Sequence, residues 1–224
     1  MGFRHSVFIS YRNGRFEQGT LNTVANQLYT ALCNEMEMWN IGDMFMPVFL
    51  DQQAMRGAPL INDIFSEAVY YSCTFIVVFT PNYFSNRSPF CASELEGMLR
   101  REQEFRQLLQ NNNISCIIPI ILRGRDQIPD LLTVRRYYAD FCDFDPDVEG
   151  TPPIHRHPKL KPLVREIVEY IDSVSANLRN QEGELCRNSA NFVLIDFESQ
   201  EGLQEITNFI DTNRPNRPPY PHLY

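Results

Sequence analysis

Short apolar runs alternate along the chain with longer stretches in which apolar residues recur every three or four positions. Most of the short runs are continuous and rich in β-branched or aromatic residues, which is typical of strands buried on both faces of a parallel sheet. The pattern predicts strands at residues 6–11, 46–50, 75–79, 116–122 and 137–141. Pro119 lies inside the fourth of these, and because proline removes a ladder donor, we expect an irregular or bulged backbone there.

The longer stretches have helical periodicity and predict helices at residues 20–38, 60–72, 88–110 and 160–174. Ser88 and Pro89 begin the third helix, with a hydroxyl at the N-cap and a proline at the first helical position. The charged residues at 100–104 are interpreted as the solvated face of that helix. Strands that alternate with helices in this way indicate an α/β fold with one five-stranded parallel sheet, helices on both of its faces and right-handed crossovers.

The pattern changes after residue 175. We divide the chain into a main domain at 5–175 and a C-terminal extension at 176–224, with a strand at about 191–197, a helix at about 200–212 and a proline-rich tail. One strand and one helix cannot bury a core of their own. The extension is therefore expected to pack on the main domain, to pack on a partner protein, or to begin a further domain. Tyr220 and Tyr224 stand among prolines and suit the docking of an extended peptide; a tail without a role is the alternative.

Composition narrows the classes of function. The net charge of -8 argues against nucleic acid as a partner, because nucleic-acid binding needs clustered Lys and Arg. The six cysteines form no Cys-x-x-Cys unit, which is typical of free thiols in a reducing compartment. The chain shows neither a signal-peptide pattern nor an apolar run of membrane-spanning length, so we expect a cytoplasmic protein without membrane contact. His155 and His157 have no third ligand at a recognisable spacing, and no metal site is predicted.

Candidate chemistry follows the third predicted strand. A helix that begins at Ser88-Pro89 puts Phe90 and Glu94 one turn apart on the same face. That turn lies at the carboxyl edge of the sheet, where open α/β sheets bind their ligands. Glu94 is therefore the candidate catalytic carboxylate, with Phe90 as apolar surface beside it. Acidic residues in the first turn also complement the helix dipole, so a purely structural role for Glu94 stays open.

Four blocks of the sequence resemble the TIR (Toll/interleukin-1 receptor/resistance protein) domain over about residues 5–175. Val-Phe-Ile-Ser-Tyr-Arg at 7–12 resembles the first box of the family, and Val-Phe-Leu-Asp at 48–51, followed by Gly57, resembles the second strand and the BB loop. Residues 75–83 resemble the third strand. Ser-Pro-Phe-Cys-Ala-Ser-Glu-Leu at 88–95 is similar to the Ser-x-Trp-Cys-x-x-Glu-Leu block. The resemblance implies a flavodoxin-like three-layer sandwich, to which the small C-terminal β-α extension is added.

The resemblance to the bacterial NAD-cleaving branch implies an enzyme, an NAD+ nucleosidase that releases nicotinamide and ADP-ribose. The catalytic glutamate of that branch aligns with Glu94. No cofactor is implied, since NAD+ is the substrate, and no general acid is needed because nicotinamide leaves as a neutral base. The expected substrate-binding residues are Ser10, Tyr11, Arg12, Phe90, Tyr83 and Phe84. Phe90 replaces the family's tryptophan and lacks its indole N–H, while Tyr83 and Phe84 are equally compatible with ordinary loop packing.

The resemblance also implies self-association. In the enzymatic branch the BB loop of one subunit helps to complete the active site of its neighbour, through a head-to-tail contact that can extend into filaments. The corresponding residues here are Gln52, Met55, Arg56 and Gly57. Stand-alone bacterial TIR proteins of antiphage defence are similar, which implies a role in defence, with control through a partner protein at the extension. The alternatives are a cyclase that makes a cyclic ADP-ribose messenger and a non-enzymatic TIR adaptor.

Overall fold

A parallel sheet forms the centre of the molecule. The computed structural model describes residues 3–12, 20–38, 48–50, 61–84, 89–134, 136–142, 158, 160–179, 186, 192–196 and 199–213. The strands are β1 (His5–Tyr11), β2 (Val48–Leu50), β3 (Ser72–Phe79), β4 (Ile117–Ile121) and β5 (Ala139–Asp140). The helices are α1 (Thr20–Met38), α2 (Ile61–Tyr70), α3 (Pro89–Leu108), α4 (Leu160–Arg179) and α5 (Gln200–Asn213).

All five strands are parallel and lie in the order β2-β1-β3-β4-β5, which is the flavodoxin-like order of a three-layer α/β sandwich. Alternate residues of each strand face opposite layers of the core. Phe8 of β1 packs in the layer formed with α2, α3 and α5, whereas Ile9 packs in the layer formed with α1 and α4. This alternation decides which side chains of a strand can reach the same site.

The predicted α/β fold is confirmed, and so are several element bounds. The helix predicted at 20–38 is found at those residues, and α3 begins at Pro89 as predicted. The last helix of the main domain was predicted to end at residue 174, but α4 continues to Arg179. The fifth strand is shorter than the predicted 137–141, because only Ala139 and Asp140 pair with β4.

The expectation of an irregular or bulged backbone at Pro119 is wrong. Pro119 pairs with Val77 in an unbroken parallel register. The carbonyl of Cys116 accepts from β3, and the carbonyl of Ile121 accepts from Phe141 on the β5 side. Because backbone groups alternate in direction along a strand, the nitrogen of Pro119 faces the β5 side, and β5 begins only at Ala139. The missing N–H of the proline therefore costs no ladder bond to β5.

Helix α3 is buried on more than one side. Cys91, Ala92, Ser93, Glu94 and Leu95 are all buried. Since successive helical residues are turned by roughly 100°, five buried neighbours cover the whole circumference of the helix. The prediction of a solvated face at 100–104 is correspondingly wrong for Arg101 and Glu102, each of which is 1% exposed.

The C-terminal extension covers the outer side of α3. The helix predicted at about 200–212 is found as α5, and its Ile206 and Ile210 are buried in the α2–α3 layer of the core. The strand predicted at about 191–197 is wrong for the described residues 192–196, which join no sheet. Backbone groups of these residues instead form hydrogen bonds with side chains of α2 and α3. Of the three placements expected for the extension, packing on the main domain is the one found; the proline-rich tail lies outside the described residues.

Candidate functional site

Glu94 lies in the second turn of α3 and faces the end of β1. Its Oε2 atom accepts a hydrogen bond from Ser10 Oγ at 2.5 Å, and the carboxylate side chain is almost fully buried, at 2% exposure. Ser10 reaches it because even-numbered residues of β1, such as Phe8, face the α2–α3 layer. The sheet and the helix thus bring together two residues that are 84 positions apart in the chain.

Tyr83 completes a chain of hydroxyl groups that ends on the carboxylate. Its phenol oxygen lies 2.7 Å from Ser10 Oγ. Because Ser10 gives its single proton to Glu94, the phenol must donate to Ser10. Burial raises the pKa of Tyr83 well above its ordinary value, and nearby Cys91 and Glu94 raise it further, so the phenol keeps its proton.

The two aromatic residues expected as pocket walls lie in the core. Tyr83 and Phe84 are buried, with ring centroids 5.3 Å apart, and Phe79 of β3 lies within 6.4 Å of both rings. Ordinary packing is therefore the arrangement found in this state of the molecule. The hydroxyl of Tyr83 is the part of this pair that meets Glu94 through Ser10.

Phe90 lies one turn before Glu94 and packs on α2. Its ring contacts the ring of Phe65 edge to face, with centroids 4.6 Å apart. The side chain of Phe90 is only partly buried, so part of its ring is exposed at the start of α3. Phe65 was not predicted as a site residue. Its helical spacing marks it as apolar core, but a single sequence does not show which ring it meets.

Tyr11 and Arg12 are placed differently from Ser10. Tyr11 is buried in the α1–α4 layer, on the opposite face of the sheet from Glu94. Arg12 follows the end of β1 and is half-buried. Of the six predicted substrate-binding residues, the structure brings Ser10 and Tyr83 into one hydrogen-bonded group with Glu94. The predicted assembly residues Gln52, Met55, Arg56 and Gly57 lie outside the described residues.

The carboxyl edge of the sheet is closed beside β3 by a tight turn. Gly124 has a left-handed backbone with φ of 73°, and a Cβ atom there would come within 2.6 Å of Pro81 Cγ. Only glycine tolerates both the conformation and the close contact. The loop after β4 is thereby fixed against the loop after β3, next to the buried Thr80.

Two other features were considered as sites. The groove between α1 and α4, of about 850 Å³, is lined by polar residues such as Asn26, Thr30 and Lys161. It lies on the opposite face of the sheet from Glu94, so it does not serve this carboxylate. Within the described part of the chain, no three His, Cys, Asp or Glu side chains are grouped as a metal site would require.

The sheet has the flavodoxin-like strand order, and a buried glutamate beside the carboxyl ends of its strands accepts a hydrogen bond from a serine hydroxyl. These two features define the class of fold and of site. A family model described as "TIR domain" matches residues 7–151. The chain belongs to the TIR domain family. No curated protein matches the chain at a significant level. Among the described residues, no helix is both long and apolar enough to cross a membrane.

Proposed function

We propose that this TIR domain is an NAD+ nucleosidase in which Glu94 is the catalytic residue. The observation that supports the proposal is the group formed by Glu94, Ser10 and Tyr83, in which two hydroxyls in series donate toward one carboxylate. The Ser10 hydroxyl fixes the position of one carboxylate oxygen, and the Tyr83 phenol fixes Ser10 in turn. A charged oxygen at the sheet edge is what a developing positive charge on ribose requires.

The proposed reaction breaks the bond between ribose C1′ and the nicotinamide nitrogen. The electron pair of that bond leaves with nicotinamide, which departs as a neutral base, and Glu94 stabilises the oxocarbenium-like ribose. A water oxygen then bonds to C1′ and its proton passes to solvent, which gives ADP-ribose. No second carboxylate acting as a general acid is needed, because the leaving group requires no proton.

The burial of Glu94 supports activation by self-association. A carboxylate that is 2% exposed cannot touch a substrate until its surroundings open. TIR domains self-associate, and we propose that head-to-tail contact through the loop at 51–60 opens and completes this site. The rate per mole of protein should then rise with protein concentration and level off once assembly is complete. Activity strictly proportional to concentration, carried by a monomer, would contradict this part of the proposal.

The decisive experiment measures nicotinamide release from NAD+ by the purified, assembled protein. Glu94→Gln removes the charge and keeps the shape, and it should abolish turnover while the fold is retained. Glu67→Gln is the control, since Glu67 is about half exposed and pairs with Arg4 rather than with Ser10. Ser10→Ala should lower turnover without abolishing it. Full activity in Glu94→Gln would refute the assignment.

The non-enzymatic adaptor remains the second candidate, and one observation favours it. A glutamate that is buried and bonded to Ser10 also fits a purely structural role in α3. If the assembled wild-type protein releases no nicotinamide, the adaptor is the better assignment. If nicotinamide is released, mass spectrometry of the second product separates hydrolysis, which gives linear ADP-ribose, from cyclisation. A role in antiphage defence is proposed only on the sequence resemblance described above.

A further inference from the structure

Residues 192–196, which we call the strap, run across the outer surface of α2 and α3. The ring of Phe192 lies between the two helices: its centroid is 5.3 Å from that of Tyr70 at the end of α2, and the guanidinium of Arg100 on α3 lies 4.9 Å above it. Arg100 Nη2 also donates to the carbonyl of Val193 at 2.8 Å. The first residues of the strap thus contact both helices at once.

The remaining strap contacts lie closer to Glu94. The backbone N–H of Leu194 donates to Ser66 Oγ on α2 at 3.0 Å, and Ser93 Oγ on α3 donates to the carbonyl of Ile195 at 2.9 Å. The side chain of Leu194 fills the space above Gly97, where an added Cβ would overlap Leu194 Cδ2. Both serines are buried, so these bonds are shielded from competition by water.

The strap reaches α3 at the residue before the candidate catalytic carboxylate. Ser93 precedes Glu94 in the chain and is turned from it by roughly 100°, so the helix turn that presents Glu94 to Ser10 is also fixed to the strap. The same contacts join α3 to α2, whose Phe65 packs against Phe90 at the start of α3. Sequence periodicity does not show this arrangement, because the contacts run through a segment that joins no sheet.

We infer that the strap positions Glu94 for catalysis by fixing the first two turns of α3 to α2. This inference rests on the proposed function for its catalytic consequence, but not for its structural part. Ser93, Leu194 and Ser66 are then positioning residues, which act through α3 rather than on the substrate. A small displacement of a catalytic group lowers the rate of the chemical step far more than it lowers substrate binding.

Gly97→Ala tests the strap with the smallest possible change. The added methyl group overlaps Leu194 Cδ2, so the Leu194 side chain must shift from its present contact with α3. Alanine is itself a better helix former than glycine, so helix propensity cannot explain a less ordered α3 in this variant. We expect kcat to fall about tenfold or more with KM changed by less than about twofold. Leu194→Ala alone should also lower kcat. The double variant Gly97→Ala with Leu194→Ala should recover to about the kcat of Leu194→Ala alone, because removing Cδ2 makes room for the new methyl.

Hydrogen exchange supplies a readout that does not depend on activity. Backbone amides of residues 89–97 should exchange faster in Gly97→Ala and return towards wild-type rates in the double variant. Ile210→Ala is the control, because Ile210 is a buried residue of the extension outside the strap. It should lower the melting temperature but change kcat and the exchange of residues 89–97 less than Gly97→Ala does.

The possible failures are distinguishable. If the assembled wild-type protein releases no nicotinamide, the proposed function is refuted, and the exchange rates alone decide the inference about the strap. Unchanged exchange at residues 89–97 in Gly97→Ala overturns that inference whatever the activity. An active protein whose kcat falls no further in Gly97→Ala than in Ile210→Ala also overturns it, and leaves the proposed function intact.

Discussion

Glu102 should be among the most sensitive positions for the stability of this domain. It is 1% exposed and its two oxygens are fully used. Oε2 accepts from the backbone N–H of Cys116 at 2.7 Å and from Arg136 Nη1 at 2.6 Å, and Oε1 lies 2.7 Å from Arg106 Nη2. One carboxylate therefore ties α3 to the start of β4 and to the segment that leads into β5.

Glu102→Ala leaves Arg136 buried without its carboxylate and deprives the N–H of Cys116 of its acceptor. Removing one partner of a buried ion pair costs about 3–5 kcal/mol. For a domain of this size that corresponds to a fall in melting temperature of roughly 6–20 °C. Glu102→Gln keeps one acceptor oxygen but loses the charge, so its loss should be smaller, at about 2 kcal/mol.

Chemical denaturation followed by circular dichroism measures both losses. Glu67→Ala is the control, since Glu67 forms an ion pair with Arg4 in which both side chains are about half exposed. Exposed pairs contribute at most about 1 kcal/mol. The reasoning fails if Glu102→Ala destabilises the protein no more than Glu67→Ala does, or if Glu102→Gln is the more damaging of the two substitutions at position 102.

Two further predictions concern the candidate site and its edge. The pKa of Tyr83 is raised in the folded protein by burial, so its contribution to stability is complete below the unfolded value near 10 and is lost as the pH rises above it. Above that pH, Tyr83 should make the free energy of unfolding fall by about 1.4 kcal/mol per pH unit, and Tyr83→Phe should remove this part of the fall. Urea unfolding at several alkaline pH values measures it; the same slope of unfolding free energy against pH in both proteins would contradict the assignment. Gly124→Ala should destabilise the domain by more than about 1 kcal/mol, since it forces a strained backbone and a contact with Pro81, and a melting temperature equal to that of the wild type would refute this.

The helices and strands whose apolar residues form a local pattern could be predicted from the sequence. The helix at 20–38 has its apolar residues at helical spacing, and the strands at 75–79 and 116–122 are continuous apolar runs, so each carries its own signal. Residues 192–196 have the composition of a strand but not its pairing. Their backbone partners are the side chains of Ser66, Ser93 and Arg100, which no local pattern reveals.

The candidate site could be predicted in part. Glu94 follows from the helix that begins after the third strand, whereas Ser10 is expected only from the family resemblance, and the structure joins the two by a hydrogen bond. Tyr11 was grouped with Ser10 by adjacency in the first box, although the alternation of a strand sends neighbours to opposite faces. The local sequence predicts a solvated charge at Glu102, since its partners in the structure, Arg136 and the backbone of Cys116, lie outside its own helix.

The lengths of the outermost strands bear on how copies of this domain can meet. The two edges of the sheet are β2, described over three residues, and β5, which has two. A long exposed edge would let one copy add its strand to the sheet of another and draw the protein into aggregates. The two-residue β5 offers almost no ladder for such pairing, so contact between copies at that side must rely on side chains. TIR domains self-associate, and at this edge the short strand leaves almost no ladder for aggregation by strand pairing.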